Sequence, residues 1–139
     1  TEKKVSAGLR EMSMELPVPG ILESPFGVFE SKIFSYKKQK IEEKKYTKWF
    51  DYDKIKNSPC VRTRRQGDYL TVNSEGGRKK LNRIFIDEKI PAEMRDRLPV
   101  VAVGSEILWI PGGRMNEKYK ITSTTGRVLE LHYQGGALA

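Results

Sequence analysis

The sequence predicts an α+β domain, a small mixed or antiparallel sheet with short helices. Three observations carry this. Strand-length runs of alternating, β-branched or aromatic residues recur along the chain. Two of them, residues 98–103 and 106–110, flank Gly104-Ser105 as a hairpin. The segments with helical spacing, 78–87 and 90–97, are short and break at glycine or proline.

The bulk numbers narrow the function. A chain of 139 residues holds one domain, with or without a lead-in. Apolar content of 37% is low and charged content of 32% is high, but the apolar residues cluster, so a core forms. The net charge of +8 favours nucleic acid or another polyanion as partner. With one cysteine, Cys60, and one histidine, His132, no internal disulfide and no usual four-ligand zinc site can be built. No metal site is expected, and a reducing, cytoplasmic setting is. Cys60, between Pro59 and Val61, reads as a small packed strand residue and not as a nucleophile. No apolar run approaches the roughly 20 residues needed to cross a bilayer, and no signal peptide is visible, so no membrane partner is expected. The chain starts at Thr1 without a methionine, which fits a piece of a longer protein.

Taken in order, residues 1–14 form a lead-in, with Val5, Leu9, Met12 and Met14 giving one weak amphipathic turn. Pro17 and Pro19 exclude a helix over 16–22, which is expected to be extended. Ser24-Pro25-Phe26-Gly27 is a turn, and 28–36 a strand. Residues 37–48 carry six lysines against Glu42 and Glu43. They form either a solvated loop or a second phosphate-tracking patch. Residues 46–50 form a strand, and 51–55 a turn capped by aspartate.

The richest stretch is 61–97, with ten Lys or Arg against six Asp or Glu. Residues 60–65 alternate, placing Arg62 and Arg64 on one strand face about 7 Å apart. That spacing suits bidentate phosphate contacts, while pairing with Asp51, Asp53 or Asp68 is the alternative. A short strand at 69–72 follows, then Gly76-Gly77 and a helix expected over 78–87. Leu81, Ile84 and Phe85 share one face of that helix, with Lys79 and Arg83 opposite. Its basic first turn opposes the helix dipole, so an external anion is expected there. Ser74-Glu75-Gly76-Gly77 matches neither a Walker loop nor a dinucleotide fingerprint. Beyond the hairpin, 111–114 turns and presents Arg114, 118–122 is a short edge strand, and 127–133 a final strand. The tail, 134–139, is expected to be disordered. Phe85, Ile107, Trp109 and Leu129 are expected in the core, and Asp87 is expected to pair with Arg95 or Arg97.

Seven ordered blocks between residues 61 and 131 carry a resemblance. They include Arg62-Thr63-Arg64-Arg65 with Gly67-Asp68, Lys79-Lys80-Leu81, Phe85-Ile86-Asp87-Glu88-Lys89-Ile90-Pro91 and Arg95-Asp96-Arg97-Leu98-Pro99. Ile107-Leu108-Trp109 with Gly113-Arg114, Lys118-Tyr119-Lys120-Ile121-Thr122 and Thr125-Gly126-Arg127-Val128-Leu129 complete them. The chain resembles the C-terminal domain of bacterial tRNA(Ile)-lysidine synthetase, and Tyr46 to Asp53 resembles the family's lead into that domain. Gln66 departs from the family's usual proline before Gly-Asp. The resemblance implies the small α+β fold shared with the β subunit of phenylalanyl-tRNA synthetase, here over 15–133. It implies a parent ligase that joins lysine to the wobble cytidine of an isoleucine tRNA (CAU anticodon), with ATP and Mg acting in an N-terminal catalytic domain. That domain's Ser-Gly-Gly-x-Asp-Ser loop does not occur in this chain, so no catalytic residue and no cofactor are expected here. The implied role is to grip the tRNA body around the acceptor stem. Charge and placement nominate Arg64, Arg65, Lys79, Lys80, Arg83, Arg95, Arg114 and Lys118 as phosphate contacts, since A-form RNA is read mainly by backbone and shape. The rival readings are an interaction module, homodimerising or docking through an apolar edge, and a hydrolase using Asp51, Asp53 or Asp68.

Overall fold

The computed structural model describes residues 13–41 and 44–135. Most of the expected lead-in (1–12), the expected tail from 136 on, and Glu42 with Glu43 lie outside the described residues.

Among the described residues ten strands form two sheets. The first contains β1 (Ser13–Glu15), β5 (Cys60–Arg62), β8 (Val100–Val103), β9 (Glu106–Trp109), β6 (Tyr69–Thr71) and β7 (Arg78–Lys80), in that spatial order. Its pairs are antiparallel except β6 with β9, so the sheet is mixed. The second contains β2 (Gly20–Ser24), β3 (Gly27–Ser35), β10 (Arg127–Gly135) and β4 (Thr47–Asp51), all antiparallel. The described residues also form two short helices, α1 (Leu81–Asp87) and α2 (Ala92–Arg95), and two 3-10 turns, η1 (Tyr52–Lys54) and η2 (Glu117–Tyr119). The α+β class holds, with two sheets.

Strand alternation builds two cores. Val61, Val101, Leu108 and Trp109 of the first sheet meet Phe29, Phe50, Leu129, Leu131 and Tyr133 of the second. On its other face the first sheet presents Leu70, Val100, Ala102 and Ile107 to Leu81, Ile84 and Phe85 of α1. Three layers result: helix, mixed sheet, antiparallel sheet. The expected core residues Phe85, Ile107, Trp109 and Leu129 are all buried.

The topology of the second sheet fixes the two ends of one long connection. Strands β3 and β4 both run antiparallel to β10 and are therefore parallel to each other. The 36–46 connection must return from beside Arg127, where β3 ends, to beside His132, where β4 begins. That is five strand steps, about 17 Å. Trp49 and Val128, which point away from the sandwich core by alternation, are buried as well, Trp49 with its ring 4.9 Å from that of Phe34 and its indole N–H donated to Glu130 at 3.0 Å.

Several expected elements differ. Residues 78–80 form strand β7 and not the first turn of a helix. Asn73 Oδ1 accepts from the Glu75 and Gly77 amides at 3.0 and 2.9 Å, Gly76 adopts φ +85°, and Val72 N–H donates to Gly77 O at 2.8 Å. This tight turn brings 78–80 back against 69–71. The helix begins only at Leu81, whose N–H is already donated to Asp68 O at 2.9 Å. The expected edge strand over 118–122 is instead η2, whose Lys118 amide is capped by Asn116 Oδ1 at 2.9 Å. The strand expected over 60–65 ends at Arg62. The expected extended segment 16–22 becomes strand only from Gly20. The aspartate-capped turn forms as expected, with Asp51 Oδ1 accepting from Asp53 N at 3.2 Å. Strand β1 begins at Ser13 and β10 runs to Gly135, each two residues beyond the expected domain limits of 15 and 133.

Candidate nucleic-acid interface

The two arginines expected to work as a pair have different fates. Arg62 is 1% exposed. Its Nη1 and Nη2 each donate to an Asp68 carboxylate oxygen at 2.8 Å, and further to Thr63 O at 2.9 Å and Gly104 O at 2.8 Å. Burial opposes its charge, but Asp68 outweighs burial and raises its pKa above the ordinary value. Asp68 Oδ2 also accepts from the Arg65 amide at 2.7 Å. Arg62 is thus an internal strut, which is the alternative pairing foreseen for it. Arg64, half-buried, donates from Nε to Asp96 at 2.8 Å and from Nη1 to Asn82 Oδ1 at 2.9 Å.

Lys79 and Arg83 come together on the helix side, where they share Asp87. The Lys79 ammonium hydrogen-bonds this carboxylate, and Arg83 Nε lies 3.2 Å from its other oxygen. The Lys79 bond, with Arg83 behind it, holds the Asp87 carboxyl below the usual carboxylate range. Asp87 therefore pairs with Lys79 and Arg83, not with Arg95 or Arg97 as expected. Arg95 Nε is donated to Ile90 O at 2.9 Å. The expected anion at a basic helix start has no basis, because Arg78, Lys79 and Lys80 are strand residues.

Lys80 and Arg78 alternate with Lys79, so they occupy the opposite face of β7. Lys80 lies across from Tyr69, and the Arg78 guanidinium sits 4.7 Å over the Tyr69 ring. Tyr69 registers with Glu106 on β9. Glu106 accepts from the Tyr119 hydroxyl at 2.5 Å and has Lys118 Nζ at 3.7 Å. Burial, then Glu106, pushes the Tyr119 phenol well above its ordinary pKa. Lys118 and Lys80 thus border one face. Arg114 does not join them. It lies in the turn past the far end of β9, where its carbonyl accepts from Ile110 N at 2.9 Å. Arg65 projects from the exposed 65–67 loop. Arg78 is absent from the eight nominated residues; once the Asn73-Gly76 turn is read as a hairpin, it stands beside Lys80 on one face.

Among the described residues there is no group of three or more His, Cys, Asp or Glu that could hold a metal ion. Among the described residues no helix is long and apolar enough to cross a membrane.

These features define a class of protein: a small two-sheet α+β domain whose distinguishing chemistry is an exposed arginine and lysine surface. A family model described as the TilS substrate C-terminal domain matches residues 60–131. A tRNA(Ile)-lysidine synthase of Caldanaerobacter subterraneus subsp. tengcongensis is 50% identical over 88 residues, covering 63% of this chain and 19% of that protein. One of Geobacillus kaustophilus is 37% identical over 123 residues, covering 86% of this chain and 26% of that protein. A crystal structure of a TilS C-terminal domain superposes with a TM-score of 0.74 at 34% identity, covering 89% of this chain and 96% of that one. The chain belongs to the TilS substrate C-terminal domain family. It spans about a fifth to a quarter of the length of these curated relatives.

Proposed function

We propose that this chain is the tRNA-binding C-terminal domain of a tRNA(Ile)-lysidine synthase that works in the cytoplasm. It grips the body of isoleucine tRNA at the acceptor stem. A catalytic N-terminal domain of the parent, using ATP and magnesium, can then join lysine to the wobble cytidine of the CAU anticodon. The observation that carries this reading is coincidence: the family match over 60–131 contains the basic stretch that composition alone singles out.

The eight nominated residues divide by readiness. Arg65, Lys80, Arg114 and Lys118 can meet a phosphate without surrendering a close ion pair. Arg64, Lys79, Arg83 and Arg95 must exchange Asp96, Asp87 or the Ile90 carbonyl for it. Such an exchange is cheap at the surface, where ion pairs are weak. Fluorescence titration of the chain with isoleucine tRNA and a non-cognate tRNA over a salt series tests the proposal. Affinity for the isoleucine tRNA should fall with a log–log slope of several units, at about 0.9 per phosphate neutralised on a duplex. An absence of binding at low salt sinks the reading.

A further inference from the structure

We infer that the RNA-contacting surface extends beyond the family-matched segment as a continuous cationic track along one end of the sandwich, running from residues 36–38 to strand β7. This rests on the tRNA-binding reading and names where on the chain the backbone of an A-form RNA lies.

The track is followed through contacts. Tyr36, at the start of the 36–46 connection, donates its N–H to Gly126 O at 2.8 Å, which fixes Lys37 and Lys38 beside the start of β10. The next residue, Arg127, pairs with Asp53 at 2.8 Å and stacks over Tyr52 at 4.9 Å. From the same turn, Lys54 Nζ reaches Lys118 O at 3.4 Å. Lys118 in turn borders Glu106, and through Tyr69 the face continues to Arg78 and Lys80. Four sequence regions (36–38, 53–54, 118 and 78–80) meet that are far apart in the chain.

Charge accounting along this path favours a polyanion. Its six cations are Lys37, Lys38, Lys54, Lys118, Arg78 and Lys80. Among the described residues no carboxylate forms an ion pair with Lys37, Lys38, Arg78 or Lys80. Lys54 has Asp51 only at 3.9 Å, and Lys118 has Glu106 at 3.7 Å. The Glu106 oxygen facing Lys118 is already hydrogen-bonded by Tyr119. Among the described residues of this path, six cations against these two carboxylates leave an excess of four. The Arg127–Asp53 pair within the path is neutral. On the helix side, by contrast, Lys79 and Arg83 spend their charge on Asp87.

The 36–38 end of the track is also built to hold its shape. Gln39 Oε1 accepts from Lys37 N at 2.6 Å, and Gln39 Nε2 donates to Ser35 O at 3.4 Å. Lys38 takes φ +60° to close this turn. A row of cations on fixed backbone suits the phosphates and shape of a duplex.

The test compares two variants of the whole chain by salt-dependent titration with isoleucine tRNA. One carries Lys37→Gln, Lys38→Asn and Lys54→Gln; asparagine is chosen because it tolerates the left-handed backbone. The other carries Lys79→Gln and Arg83→Gln. The first should lower the salt slope by about two to three units, and the second by less. Lysine acetylation footprinting of the unaltered chain should show Lys37, Lys38 and Lys54 protected by tRNA, which keeps the test independent of any folding defect. An unchanged slope with no protection overturns the track while wild-type binding still upholds the tRNA reading; the lysines then serve another anionic partner or solubility. Failure of the wild type to bind overturns both.

Discussion

Two cation–carboxylate assemblies within the same stretch of sequence invite comparison: Arg62 with Asp68, and Lys79 and Arg83 with Asp87. Both are short-range in sequence and both hold a carboxylate between donors. The first is sealed beneath the 63–68 loop, with each side chain 2% exposed. The second stands at the surface, with Arg83 at 66%. Burial decides the role. An ion pair withdrawn from water must keep every partner, so it specifies architecture, whereas an exposed one can be exchanged for a ligand phosphate.

The largest expected effect breaks the buried member. Arg62→Ala leaves the Asp68 carboxylate inside with no cation, at a cost of about 3–5 kcal/mol. Urea denaturation should show this as a large drop in midpoint or a failure to fold. A midpoint close to wild type would mean that Asp68 is satisfied by the Arg65 amide alone and that the strut is dispensable. Lys79→Ala should move the midpoint far less, since water replaces the lost partner.

An intermediate case lies between them. Glu106 is mostly buried and is held by the Tyr119 hydroxyl, with Lys118 more distant. Tyr119→Phe removes the donor and keeps the ring, at a cost of about 1–3 kcal/mol for the acceptor left behind. The same urea experiment places it between the Arg62 and Lys79 variants. A cost as large as that of Arg62→Ala would show that burial of the partner alone does not set the scale.

The local chemistry of this chain was legible in its sequence, and its long-range pairings were not. The 100–109 hairpin, the Asp51 cap and the packed face of Leu81, Ile84 and Phe85 each depend on neighbours a few residues away, and each can be read directly. The 78–80 segment departs from the expected helix because the face of Leu81 to Phe85 extends backward on a helical wheel, while the Asn73 side chain and Gly76 commit the backbone to a hairpin. Periodicity cannot rank those two signals. Arg62 and Arg64 look equivalent on an alternating strand, and only the arrival of Asp68 and the Gly104 carbonyl separates them. The contacts that define the cationic track join residues 64 and 74 positions apart, Lys54 with Lys118 and Asp53 with Arg127. No local pattern announces such meetings.

The smallest predicted effect is also the one that isolates exposure most cleanly. Lys79, and then Arg83, hold the Asp87 carboxyl below its ordinary value. A carboxyl with a lowered folded-state pKa stabilises the fold above its unfolded pKa, near 3.9, and loses that contribution as pH falls through the folded value. Asp87→Asn should therefore melt below wild type at pH 7, and the gap should close as pH drops beneath about 4. Because the pair is exposed, added salt at pH 7 should narrow the gap as well. The deficit of Arg62→Ala should resist salt, since its partner is shielded from counterions. A gap for Asp87→Asn that ignores both pH and salt would mean that the carboxylate acts through packing or helix propensity. The surface trio would then belong with the buried strut as architecture, and its readiness to give way to phosphate would lose its physical basis.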